Sequence, residues 1–278
     1  MNHSKFKSVL IILGVIFCSN SIAAGKLFII GGGERTSAIM KRMVAESGLD
    51  KGGYAVILPM SSEEPDTAYY YTKLDFIAAG CSDVQNLFCT KNRVNDKSIA
   101  DSILNAKLIF ISGGDQSRFM NLVKGSSLLM AIRKAYQNGK VIAGTSAGAA
   151  MMSEIMITGN SLRDTNYSAT FKIIEPGNIE TSEGLGLVKT VIIDQHFVWR
   201  SRHNRLITAV LEFSDKAGVG IDESTAIIVN GNDAEVIGES QVLVYRNRSK
   251  KKSVVNGKYK AEGLSLDIYL TGDHFSLN

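Results

Sequence analysis

Short strand-like runs, each closed by glycine or a polar turn, alternate with helix-like stretches through the first half of this chain. That alternation constrains the fold more than any other feature. The runs are LFII at 27–30, AVIL at 55–58, VQNLF at 84–88, LIFI at 108–111 and VIA at 141–143. Helical periodicity occupies roughly 37–47 and 64–79. Consecutive apolar residues without polar alternation belong to strands buried on both faces, and strand–helix alternation builds a parallel sheet covered on both sides. The expectation is an α/β fold whose ligands bind beyond the carboxyl ends of the strands. Three runs end at that edge in glycine-rich turns: the glycines at 31–33, Gly113-Gly114-Asp115-Gln116, and Gly144-Thr145-Ser146-Ala147-Gly148. From Gly218 onward the chain is strand-rich instead, with runs at 219–221, 226–229, 242–245 and 265–270.

Residues 1–23 stand apart. Lys5 and Lys7 precede an apolar stretch at 9–17, and the small residues Ser21 and Ala23 follow. This is the layout of a cleaved secretory signal peptide, and the stretch is too short for a comfortable membrane span. Cleavage is expected after Ala23, with Ala24 the alternative, and an uncleaved anchor is the competing reading. The chain has three prolines, no internal repeat and no Ser/Gly-rich tract, so 24–278 is expected to form one α/β domain. It would be exported to the periplasm or beyond the cell and be free of the membrane. Cys81 and Cys89 remain after cleavage; an oxidising compartment allows a bridge, and two buried thiols fit as well.

Of 31 basic and 27 acidic residues, Lys5 and Lys7 leave with the leader, so the remainder carries +2. That balance gives no reason to expect nucleic acid as a partner. The cluster Arg246-Asn247-Arg248-Ser249-Lys250-Lys251-Lys252 lies between strand-like runs and reads as a solvated hairpin tip. The glycine triplet at 31–33 lacks the third glycine of G-x-G-x-x-G, and no phosphate-loop Lys-Ser pair follows. Neither a cofactor nor a metal is expected.

Gly144-Thr145-Ser146-Ala147-Gly148 is G-x-S-x-G at a strand-to-helix turn, the setting in which a serine hydroxyl is held up as a nucleophile. Serine needs a base, and beyond the leader the chain offers His196, His203 and His274. His196 follows the strand-like VIIDQ at the sheet edge where the glycine turns lie. His203 sits among Arg200, Arg202 and Arg205, where a solvated helix face is the simpler reading, and His274 lies in a turn near the chain end. The acid that orients the base is Asp194, Asp222 or Glu223, with the last two undivided by sequence. The order Ser, His, acid differs from that of an α/β-hydrolase esterase, unless His274 is the base.

Five motifs in order now carry a resemblance: Gly-Gly-Asp-Gln at 113–116, Gly-Thr-Ser-Ala-Gly-Ala at 144–149, Asp-Gln-His-Phe at 194–197, the arginines 200, 202 and 205 with Leu206, and Gly-Ile-Asp-Glu-Ser-Thr-Ala at 220–226. Together they resemble the cyanophycinases, serine peptidases of the dipeptidase E clan. The resemblance implies a flavodoxin-like sheet of the class I glutamine amidotransferase type, and a homodimer. It also implies Ser146 as nucleophile, His196 as base and Glu223 as its partner. The oxyanion would be held by the Ala147 amide and one from Gly113–Gly114, with Gly114 the choice. Gln116, Asp194, Gln195, Arg200, Arg202 and Arg205 would bind substrate. That substrate is cyanophycin, a polyaspartate with arginine joined to each β-carboxyl, released as β-Asp-Arg dipeptides. Guanidinium groups suit an acidic backbone, and Asp194 or Asp115 would meet the substrate's own guanidinium. The plainer alternative makes 199–206 a solvated helix face with Trp199 and Leu206 in the core, and Gln116 a helix cap. The segment 158–182 is expected to border the pocket. Competing functions are a secreted peptidase of the same clan acting on α-aspartyl or isoaspartyl peptides, a non-catalytic binding protein, and a carboxylesterase.

Overall fold

The computed structural model describes residues 24–164, 168 and 170–278, so the signal peptide expected at 1–23 lies outside the described residues. In the first half, strands β1 (Lys26–Ile30), β2 (Ala55–Leu58), β3 (Val84–Asn86), β4 (Leu108–Ile111) and β5 (Val141–Thr145) alternate with helices. These are α1 (Ser37–Ser47), α2 (Pro65–Ala78), α3 (Lys97–Asn105), α4 (Gln116–Val123) and α5 (Ser127–Gln137). A short α6 (Ala147–Ala150) follows β5, then β6 (Ile155–Ser161), β7 (Ile179–Glu183), β8 (Val191–Gln195) and α7 (His203–Glu212). The remainder is strand: β9 (Ala217–Ile221), β10 (Thr225–Asn230), β11 (Asp233–Gly238), β12 (Val242–Asn247), β13 (Lys252–Val255), β14 (Lys258–Ala261), β15 (Leu264–Tyr269) and β16 (His274–Ser276).

The expected parallel sheet is present. Strands β1, β5, β4, β2 and β3 pair in parallel and are extended by antiparallel β10, β11 and β16, giving the order β16-β11-β10-β1-β5-β4-β2-β3. Alternate residues of β1 feed opposite faces. Phe28 and Ile30 pack with α1 and α2 side chains such as Met43 and Phe76, while Leu27 and Ile29 join the core formed with α3, α4 and α5. Both faces are dry, which is why β2 and β4 are apolar at every position. Cys81 belongs to the first of these cores and Cys89 to the second; both thiols are free, and burial pushes both pKa values up.

One expectation is corrected. His196 does not sit at the edge of the same sheet as Ser146, because β8 pairs in parallel with β9 in a second sheet of order β15-β12-β9-β8. The strand-rich C-terminal part divides between the two sheets. β8 alternates like β1: Val191 and Ile193 enter the core shared with the larger sheet, while Ile192 packs under α7 with Leu206 and Val210. The two sheets meet at the strand ends that hold Ser146 and His196.

Candidate active site

β5 ends at Thr145, and Ser146 turns with φ 54° and ψ −112° before α6 begins. A serine in this region is strained and persists only when its surroundings hold it there. Its N–H donates to the Ile30 carbonyl at 3.0 Å. Behind it α6 lies directly on the end of β4: a Cβ at Gly148 would fall 2.4 Å from the Ile111 carbonyl oxygen. The second glycine of G-x-S-x-G is therefore set by this close approach, which brings the serine to the sheet edge.

His196 leaves β8 with φ 48°, and its N–H donates to the Gly31 carbonyl of the other sheet at 2.7 Å. The imidazole occupies space that Gly32 leaves open, since a Cβ there would lie 2.3 Å from the ring. Ser146 Oγ is 2.8 Å from His196 Nε2, and His196 Nδ1 is 2.5 Å from Glu223 Oε1. A carboxylate only accepts, so the ring proton belongs on Nδ1 and the Nε2 lone pair faces the serine. Burial lowers the pKa of His196, and the Arg200 and Arg202 cations act the same way against the opposing pull of Glu223. A neutral imidazole in that tautomer can take the hydroxyl proton, and the carboxylate behind it can stabilise the imidazolium.

The two neighbouring acids that sequence leaves undivided have separate places. Glu223 meets the imidazole. Asp222 turns away: Oδ1 accepts the N–H groups of Val198 and Trp199 at 3.0 and 2.9 Å, and Oδ2 accepts the Ser240 hydroxyl at 2.6 Å. It pins the turn that follows His196.

Beside Ser146 opens a cavity of about 280 Å³ lined by the turn 114–117, Thr158, Gly159, Asn160, Gln195 and the three arginines. Part of the stretch 158–182 thus borders it. Gln116 lines the cavity, its amide Nε2 donating to the Ile157 and Thr158 carbonyls at 3.0 and 2.7 Å. The cap of α4 is Asp115 and not Gln116. Asp194 lies behind the cavity wall, buried. It accepts Arg205 Nε at 2.6 Å and Arg205 Nη2 at a short bond, and the Gln195 N–H at 2.8 Å. Arg202 donates to both the backbone carbonyl and Oε1 of Gln195, at 2.7 and 2.8 Å. Arg200 alone of the three is exposed. Helix α7 starts only at His203, so 197–202 is a turn; Trp199 is 75 % exposed and does not join the core, whereas Leu206 does. Gly113, at the end of β4, flanks the serine, with its Cβ position 3.2 Å from Ser146 Cβ.

The other histidines are elsewhere. His203 is half-buried, bonded to the Tyr245 hydroxyl at 2.8 Å and set edge-on to Phe197, so the solvated reading of it gives way to packing. His274 lies on β16 at the far edge of the large sheet, exposed and bonded to Asp233 at 2.8 Å. Two contributors are legible in sequence only in part. The triplet at 31–33 is expected at the ligand-binding edge and is tested against a nucleotide loop, but nothing in it announces that Gly32 makes room for the imidazole. Asp222 carried no signal that separates it from Glu223.

The profile of peptidase family S51 matches residues 27–237. The chain belongs to peptidase family S51. A cyanophycinase from Nostoc sp. is 30% identical over 263 residues, covering 90% of this chain and 85% of that one. Another, from Synechococcus elongatus, is 33% identical over 235 residues, covering 80% and 69%. A solved peptidase from an acI-B1 Actinobacterium has the same fold, with a TM-score of 0.63 at 21% identity over 92% of this chain and 98% of that one. This S51 protein is thus a serine-type peptidase, a hydrolase. Among its described residues no helix is long and apolar enough to cross a membrane.

Proposed function

We infer that this S51 peptidase is an exported cyanophycinase, cutting a polyaspartate that carries arginine on each β-carboxyl and releasing β-Asp-Arg. The observation that carries this reading is the row Ser146 Oγ, His196 Nε2, His196 Nδ1 and Glu223 Oε1, with links of 2.8 and 2.5 Å, opening onto a cavity rich in arginine. His196 takes the hydroxyl proton as Ser146 Oγ attacks the α-peptide carbonyl between aspartyl units. The oxyanion is received by the amides of Ala147 and Gly114. His196 returns its proton to the leaving amine as the C–N bond breaks. Water, deprotonated by the same imidazole, then cleaves the acyl ester, while Glu223 holds the tautomer throughout.

Gln116, Gln195 and Arg200 would touch substrate, with Arg202 and Arg205 presented by Asp194 and Gln195 from behind. The likeness to cyanophycinases and the leader pattern at 1–23 support a single exported domain of residues 24–278, periplasmic or extracellular, working as a homodimer. N-terminal sequencing of the secreted form and its mass by light scattering test those two points.

The decisive experiment incubates the purified protein with insoluble cyanophycin and follows β-Asp-Arg by mass spectrometry. Release by the wild type, and a fall of about 10⁴-fold or more in Ser146→Ala, is the expected result. Release that survives Ser146→Ala would remove the serine from its role. No release from folded wild type, with cleavage of α-aspartyl or isoaspartyl dipeptides, would move the substrate to short peptides.

A further inference from the structure

The turn that carries Gly114 is held from a neighbouring strand as well as its own. Strands β2 and β4 run side by side, and the chain leaving each turns at the strand ends. Ser112 N–H donates to the Leu58 carbonyl at 3.1 Å, and Ser62 N–H closes its own turn on the Pro59 carbonyl at 3.0 Å. The two turns touch at Ser61 and Gly114. Gly114 has φ 132°, and a Cβ there would lie 2.2 Å from the Ser61 carbonyl oxygen. The contact is backbone on backbone, so a displacement of Ser61 is passed on to Gly114. Gly114 lines the cavity beside Ser146, and its N–H has no hydrogen bond to another described residue.

Ser61 is itself fixed from outside the cavity. It is fully buried, and its carbonyl accepts from Asp115 N–H at 2.9 Å and from Arg118 Nη1 at 3.2 Å. A carbonyl oxygen has two lone pairs, and these bonds use both. Arg118 stands in the first turn of α4 and does not line the cavity; its Nη2 donates to Glu63 at 2.8 Å. That ion pair is partly to largely exposed, and by itself such a pair is worth little. Its geometric effect is to hold the guanidinium with Nη1 on the Ser61 carbonyl.

We propose that Arg118 is a positioning residue for the oxyanion hole: through the Ser61 carbonyl it sets the Gly114 amide that receives the oxyanion. This rests on the oxyanion reading above. Arg118 touches neither the serine nor the imidazole, so it governs the rate of attack and leaves ground-state binding and the protonation of His196 as they are.

The test needs no peptide. Diisopropyl fluorophosphate is attacked at phosphorus by an activated serine: the Oγ–P bond forms, the P–F bond breaks, fluoride leaves and the hydroxyl proton passes to the imidazole, while the phosphoryl oxygen takes the oxyanion position. Intact mass follows the labelling and peptide mapping places it on Ser146. Arg118→Met is expected to slow labelling by about 10- to 100-fold, the range for a small misplacement beside the reacting atoms and short of losing a whole oxyanion donor. Arg118→Lys, which can still donate to the carbonyl, should recover part of that loss, and Glu63→Ala should show a smaller one. The acid limb of the labelling rate should stay in place, and with a β-aspartyl-arginine oligomer kcat should fall by the same factor while KM holds. Labelling of Arg118→Met at the wild-type rate overturns the proposal. A slower rate that comes with a shifted acid limb or a lower unfolding midpoint, and that lysine does not recover, overturns it too, since it marks general loosening. A wild type that is not labelled at Ser146 overturns the nucleophile reading and this role with it. A wild type that is labelled but cleaves no aspartyl oligomer counts against the substrate alone, and the Arg118 comparison still decides.

Discussion

The two sheets bring their residues to the site by different physical means. The eight-stranded sheet works by contact. Ser146 is held by a backbone bond to β1 and by α6 lying so close on β4 that only hydrogen fits at Gly148. The four-stranded sheet works through buried polar bonds. Its strand ends carry Asp194 on Arg205, Arg202 on Gln195, and Asp222 on the amides of Val198 and Trp199. Close packing dominates at the proposed nucleophile, whereas the proposed base depends on a buried polar network as well as on the space left at Gly32. Steric fit tolerates no added atom, whereas a polar network tolerates a substitution that keeps its donors and acceptors.

That contrast can be broken first at Asp194. Asp194→Ala leaves Arg205 buried without its counter-charge and should cost about 3–5 kcal/mol of stability, read as a fall in the denaturant midpoint. The double variant Asp194→Leu, Arg205→Met should recover most of it; failure to recover would mean that the network does more than neutralise charge. Next is Gly148→Ala. One methyl against the Ile111 carbonyl should cost about 1–3 kcal/mol and, by moving Ser146, slow turnover more than it weakens substrate binding. A Gly148→Ala enzyme with wild-type kcat would end the argument from shape.

Asp222 gives a smaller and more selective effect. Asp222→Ala frees the turn after His196 and should lower kcat by about 10- to 100-fold, the cost of a small misplacement near the reacting atoms. Asp222→Asn keeps an acceptor for the two amides and should restore most of that loss. Equal damage from both variants would show that the charge matters more than the bonds.

The smallest effect is in the pH profile. The proposed base must be neutral, so kcat/KM is expected to be retained above the His196 pKa and lost as pH falls through it. Burial and the two arginines depress that pKa, which sets the acid limb below the ordinary imidazole range. Arg200→Gln removes one depressing charge, so its limb should move to higher pH, by less as salt screens the exposed cation. A limb that stays in place would exclude Arg200 from tuning the imidazole.

The same division explains how much was legible in the sequence. Contact leaves marks: strands β2 and β4 were readable at their exact bounds because both faces are dry, and the serine turn because its glycines are obligatory. Polar networks leave fewer. Nothing in Gly-Ile-Asp-Glu says which acid meets an imidazole, since that depends on the β8–β9 pairing, a contact between distant segments. The assignment of β8 to a second sheet was hidden for the same reason: its apolar run reads alike in either sheet. The arginines suggested a helix face that would carry substrate charge. In the fold, Arg202 and Arg205 are largely consumed by Gln195 and Asp194, and Arg205 Nη1 is left without a hydrogen-bond partner.

Trp199 has a practical consequence. It is the only tryptophan in the chain, it stands in solvent next to Arg200, and its amide is tied to Asp222. The tryptophan fluorescence of the protein therefore comes from one indole, on the turn that follows His196. Its emission would report on the turn that carries Trp199 and its neighbour Arg200, and Arg200 lines the cavity beside Ser146. A change in that emission on mixing with a ligand would then reveal movement of the turn, with no label attached.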